Sequence, residues 1–134
     1  RPRLLPIPGP TQGLFTLRTL NDAQLLQAAI GPGVNVVILG SGFIGCELAA
    51  TATTLGANVH VVSLNIEPMV MPMGVDLGAA MRKRHETKGV TFHLGHTVEK
   101  FNGDHRIESV TLEQAMKTLL INDVGLLLII DIFR

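Results

Sequence analysis

The sequence predicts an α/β fold: a parallel sheet flanked by helices, with an antiparallel β-hairpin or meander inserted. Three observations predict it. Residues 34–39, "VNVVIL", form a nearly continuous apolar, β-branched run, the pattern of a strand buried on both faces of a parallel sheet. From residue 43 to residue 55 the period changes, and Ile44, Leu48, Ala52 and Leu55 recur at helical spacing. A second β-rich run, "NVHVVSL", follows at 58–64. Strand, tight turn, helix and strand within roughly 30 residues make a βαβ unit, the Rossmann-like arrangement.

The elements follow in order. "RPRLLPIPGP" carries four prolines in ten residues and reads as an extended lead-in. "LFTLR" suits a short strand or a tether. "NDAQLLQAAIGPG" reads as a short helix, with Asn21 as N-cap, Gln24 three residues on, and Gly31-Pro32-Gly33 as the stop. After the βαβ unit, "LNIEPMVMPMGV" is expected as an irregular loop punctuated by Pro68, Pro72 and Gly74. "DLGAAMRKRHETKG" predicts a second helix, with Asp76 as its cap, Leu77, Ala80 and Met81 on one face, and Gly89 at its end. "VTFHLG" is the next strand. "TVEKFNGDHRIESVTLE" reads as a hairpin with Asn102-Gly103 near its tip, a dipeptide suited to a type I′ turn unless Asp104 and His105 lengthen the loop. "TLLINDVGLLLIIDIF" opens with a turn or short strand and closes with a buried strand. The organisation expected is a linker over residues 1–20 and one domain over 21–134.

Composition bounds the function classes. A chain of 134 residues suits one domain. Hydrophobic residues make up 46%, enough to build a core. Lys plus Arg and Asp plus Glu are 11 each, so there is no charge footprint for nucleic acid, and Trp and Tyr are absent as stacking platforms. A single cysteine, Cys46, excludes an internal disulfide and a dithiol redox pair. The most apolar stretch, 124–133, contains Asp131 and falls short of the roughly 18–20 residues of a membrane span.

The chemistry-bearing motif is Gly40-x-Gly42-x-x-Gly45, placed between the buried strand and the helix. Each glycine has a separate reason. The chain reverses at Gly40, a Cβ at Gly42 would hold the backbone away from a diphosphate, and a side chain at Gly45 would push the helix off the sheet. The helix start then offers free N–H groups and a partial positive charge. The candidate cofactor-binding residues on the turn and the strand end are Gly40, Ser41, Gly42, Gly45 and Ser63. Glu47 is read as a first-turn carboxylate favoured by the helix dipole. Ser63 ends the second strand, 23 residues beyond Gly40, where an acidic residue would grip the adenosine ribose. A serine there accepts a ribose hydrogen bond without charge. Residues 63–73 carry no basic side chain for a 2′-phosphate, which gives a weak preference for NADH over NADPH.

Other candidates have plainer readings. Cys46 near the helix start reads as a packing residue. His93 and His96 are expected on opposite faces of a strand, which argues against a shared metal. "RKRH" at 82–85 reads as a solvated helix face. Met69, Met71 and Met73 are either packed against the sheet or exposed. No catalytic side chain and no metal ligand is identified.

The segments "RPRLLPIPG", "LFTLRTLNDAQLL", "VNVVILGSGFIGCELAATATTLGANVHVVSL" and "MRKRHETKGVTFHLGHTVEKFNGD" together resemble the NAD(P)H-binding domain of FAD-dependent pyridine-nucleotide oxidoreductases. The nearest branches are the ferredoxin and rubredoxin reductases and the apoptosis-inducing-factor-like proteins of the third type. The resemblance spans residues 1–113. It implies that the glycine turn, with the backbone of Phe43 and Ile44, holds the NAD(P)H diphosphate. It also implies that Glu47 faces the nicotinamide carboxamide. FAD would sit in a flavin domain preceding this segment, since no second such motif is present here, and an iron–sulfur protein would be the electron acceptor. Two other readings stand beside it: a non-catalytic remnant or partner-binding module on the same scaffold, and the cofactor domain of an NAD-dependent dehydrogenase. The tail "GLLLIIDIFR" departs from the glycine-rich turn with which the relatives close this domain.

Overall fold

The structure is a computed structural model and describes residues 7–10, 12–17, 25–26, 28–68, 70–114 and 117–130. Five strands form a fully parallel sheet in the order β1-β8-β2-β3-β4: β1 Leu14–Leu17, β2 Asn35–Leu39, β3 Asn58–Ser63, β4 Thr91–Leu94 and β8 Leu126–Ile130. Three more, β5 Thr97–Asn102, β6 Ser109–Gln114 and β7 Lys117–Ile121, form an antiparallel meander. Helix α1 is Phe43–Thr54 and helix α2 is Val70–Thr87. The α/β prediction and its antiparallel insertion hold.

The continuous apolar run in β2 is explained by burial on both sides. Val36 and Ile38 face α1 and join Ala49, Ala52, Val59, Val61 and Val90 in one core. Val37 and Leu39 face the opposite way and join Val62, Leu127 and the meander residues Phe101, Ile107, Val110, Leu112 and Ile121. The meander is therefore the second covering layer of the sheet, where an open parallel sheet must bury both faces. A strand that alternated polar and apolar residues could not sit in this position.

Some expectations hold and others are corrected. Residues 14–17 are a true edge strand, paired with β8. Residues 25–26 and 28–29 are helical, and the Asn21 and Gln24 capping pair lies outside the described residues. Residues 70–73, expected as loop, are helical, with a break at Gly74 (φ 83, ψ 171). Proline is tolerated in a first helical turn, where its N–H would have no partner, so Pro72 does not exclude helix. The break places Gly74, not Asp76, at the start of the regular helix. Leu77 and Ala80 are exposed, and the inner row of α2 is instead Gly78, Arg82 and His85. A side chain at Gly78 would meet the Pro68 carbonyl oxygen at 2.5 Å, so the helix lies directly on the preceding loop.

The β5–β6 loop spans residues 103–108, and the positive φ falls at Gly103 (φ 143) and not at Asn102, so no two-residue type I′ turn forms. Met69 and the side chains of Met71 and Met73 lie outside what is described. Tail residues 126–130 form β8, inside the sheet between β1 and β2; the last four residues lie outside the described part.

Candidate nucleotide site at the β2–α1 turn

β2 ends at Leu39, and the backbone turns at Gly40 with φ 122, a conformation that favours glycine. The Gly40 N–H donates to the Val62 carbonyl at 2.8 Å, so the turn is anchored to β3. A Cβ at Gly45 would be driven into the Gly40 carbonyl oxygen and close to Ile38. Helix α1 therefore leaves the turn at backbone contact distance. Both glycines are thus demanded by the fold itself.

Gly42 differs. Its backbone (φ −78, ψ −165) is extended and open to any residue, and a Cβ there would meet no atom within 4 Å. The space beside it is free. Gly42 is also the N-cap of α1 and supplies no side-chain bond to the helix, and the first turn carries no acidic residue. The positive end of a 12-residue helix is therefore left without a capping side chain, beside an open surface.

The predicted residues are distributed around this opening. Ile44 is 51% exposed one turn from Gly40, and Glu47 is exposed three residues on, along the same outer face. Nothing is described of the Phe43 side chain. Glu47 is the fifth helical residue, so its assignment to the first turn is corrected. The dipole effect falls off within that turn, and it gives no reason for an acid at this position. Ser41 is buried, and its hydroxyl donates to Ser63 Oγ at 2.8 Å. Ser63 Oγ also accepts the Asn65 N–H at 3.1 Å. The Ser63 hydroxyl, expected to accept from a ribose, already accepts twice within the chain.

Cys46 is buried with its Sγ 3.5 Å from the Ser41 carbonyl oxygen, and burial pushes its thiol up to about 11. Its surroundings are those of a packing residue. His85, taken as part of a basic surface run, is buried instead, with Nδ1 2.9 Å from the Met81 carbonyl and Nε2 3.1 Å from the Cys46 carbonyl. It links α2 to α1 just behind the glycine turn. Arg82 is half-buried, bound to Glu67 at 2.6 Å and to Glu86 at 3.0 Å.

The histidines depart furthest from expectation. β4 ends at Leu94 and Gly95 (φ 71) turns the chain, so the His96 ring returns to within 6.1 Å of the His93 ring. His93 Nε2 also lies 3.0 Å from His60 Nδ1, with the ring planes 14° apart and the centroids 5.2 Å apart. The N···N distance plus two ring half-widths accounts for that separation. The rings therefore meet edge to edge and share one proton. Burial lowers His60, while burial and then its two histidine neighbours lower His93 to about 4. Among the described residues no group of three or more side chains is arranged to hold a metal ion. Sequence spacing alone could not show this cluster, because two of its members meet only through the β3–β4 pairing.

Comparison with known proteins places this geometry in a family. The pyridine nucleotide-disulphide oxidoreductase model matches residues 1–129, which extends the resemblance beyond residue 113 and into the divergent tail. Over 111 residues the chain is 38% identical to the benzene 1,2-dioxygenase system ferredoxin–NAD(+) reductase subunit of Pseudomonas putida, covering 82% of this chain and 27% of that protein. It is 32% identical over 105 residues to apoptosis-inducing factor 3 of Homo sapiens, covering 78% of this chain and 17% of the relative. The crystal structure of a ferredoxin reductase from Rhodopseudomonas palustris superposes with a TM-score of 0.82 at 29% identity, over 98% of this chain and 32% of the other. The chain thus spans about a quarter of the reductase it matches from Pseudomonas putida. The chain belongs to the pyridine nucleotide-disulphide oxidoreductase family.

Proposed function

We propose that this chain is the NAD(P)H-binding part of a FAD-dependent oxidoreductase, holding the nicotinamide for hydride transfer to a flavin carried elsewhere in the parent protein. The observation that carries the reading is Gly42. Gly40 and Gly45 are explained by backbone geometry and packing, whereas at Gly42 neither applies. A glycine whose side-chain space is empty, at an uncapped helix start, fits a site for diphosphate oxygens. The residues that would hold the nucleotide are Gly40, Ser41, Gly42, Phe43, Ile44 and Gly45 along the turn. Glu47 would stand toward the nicotinamide and Ser63 beside the adenosine ribose.

The hydride chemistry belongs to the cofactors, and this chain supplies position and electrostatics. No acid or base is assigned here. The chain carries no second glycine fingerprint, so FAD is assigned to the preceding domain and not to this chain. The relatives named as ferredoxin–NAD(+) reductases support an iron–sulfur protein as the parent's electron acceptor. Absence of a basic residue over 63–73 supports at most a small preference for NADH. Family membership disfavours the cofactor domain of a free-standing dehydrogenase. The engaged Ser63 hydroxyl favours the second reading, a scaffold that no longer binds nucleotide.

Calorimetric titration with NADH and NADPH separates the two. Saturable binding of either nucleotide, abolished by Gly42→Val, supports the first. No heat at millimolar nucleotide leaves the remnant.

A further inference from the structure

Ser63 closes β3 and Ser41 follows Gly40 in the turn after β2, and parallel pairing of Leu39 with Val62 brings the two hydroxyls together. A hydroxyl has one proton to give and two lone pairs. Ser63 Oγ receives the Asn65 N–H at 3.1 Å and the Ser41 O–H at 2.8 Å. Ser41 is 2% exposed, and among the described residues its hydroxyl bonds to Ser63 alone. With Ser63 as its sole partner in a buried place, Ser41 is the donor of this pair, so both lone pairs of Ser63 are filled and its own proton is what remains.

An acidic residue at this strand end accepts from a ribose 2′-hydroxyl and repels a 2′-phosphate. Ser63 can do neither. The one carboxylate in the following loop, Glu67, is held by Arg82 through Nε at 2.6 Å and Nη2 at 3.3 Å. It does not stand as a free charge against a phosphate. We infer that Ser41 sets the nucleotide selectivity of this domain. By holding the Ser63 hydroxyl, it makes the end of β3 a neutral, donor-only position that takes NADPH within about tenfold of NADH. This rests on the glycine turn being the diphosphate site.

The test is the ratio of dissociation constants for NADH and NADPH, measured by calorimetry on the chain and on Ser41→Ala. The native ratio should lie within about tenfold. Ser41→Ala frees one lone pair on Ser63, worth one neutral hydrogen bond, and should shift the ratio toward NADH by about two- to tenfold. A purely structural Ser41 would weaken both nucleotides alike and leave the ratio in place; that result, or a native ratio beyond tenfold, overturns the inference alone. Absence of binding by either nucleotide overturns the glycine-turn reading with it. Should Ser41→Ala fail to fold, Ser63→Glu supplies the second variant. Restoring the charge must move the ratio toward NADH by more than tenfold, and an unchanged ratio overturns the inference.

Discussion

Replacing Gly42 by alanine separates the ligand from the fold. The native backbone there is extended, and the new methyl group meets nothing within 4 Å. Removing a glycine from the unfolded chain stabilises by about 0.4–1 kcal/mol. Alanine is a poorer N-cap than glycine, by on the order of 0.5–1 kcal/mol. The two effects offset, so stability should change by less than about 0.5 kcal/mol. Binding should behave otherwise. The methyl stands where diphosphate oxygens approach the helix N–H groups, and losing two charge-assisted bonds at about 1.5–3 kcal/mol each removes at least 3 kcal/mol. That is a loss of at least about a hundredfold in affinity. Gly45→Ala is the control with the opposite pattern. Its methyl collides with the Gly40 carbonyl, and overpacking of this kind costs about 1–3 kcal/mol of stability. Urea unfolding reads the first quantity and calorimetric titration the second. Native affinity in Gly42→Ala, or instability matching that of Gly45→Ala, would refute the reasoning.

The other predictions rest on separate features. Folded His93 takes up its proton only near pH 4, whereas an unfolded histidine does so near 6.5. Between those values the unfolded chain binds more protons, so stability is full above about pH 6.5 and falls as the pH drops toward 4. After allowance for solvent screening of a half-buried group, the loss is about 1–2 kcal/mol. His93→Gln should flatten that part of the pH–stability curve, and an unchanged slope contradicts the shared-proton pair. Cys46, buried with its thiol pushed up to about 11, should resist alkylation at pH 8 in the folded chain and react on unfolding; rapid labelling of native protein contradicts its burial. Glu47→Ala should weaken NADH but leave ADP-ribose, which lacks the nicotinamide, unchanged; equal effects on both would remove Glu47 from the nicotinamide side.

Much of the fold was legible because β2 and α1 differ in period, and the period is written in the residues themselves. The doubly apolar face of β2 announced a parallel sheet before any pairing was known. The roles of Gly40 and Gly45 were also readable, since each answers a local backbone demand. What escaped were contacts made only when distant elements meet. Ser41 and Ser63 lie 22 positions apart, and their bond exists because β2 and β3 are neighbours. His60 and His93 join across β3 and β4 in the same way. The start of α2 was misread because Pro72 and Gly74 signal a loop equally well. Glu47, assigned to the first turn, is the fifth residue of a helix that does start at Phe43, and so lies just beyond that turn.

The most direct test of the account follows backbone amides by nuclear magnetic resonance while NADH is added to the isotopically labelled chain. The account predicts that the largest shifts fall on residues 42–46, with saturation, and that Gly42→Ala removes them. Shifts confined to the meander or to α2, or none up to millimolar NADH, would contradict it.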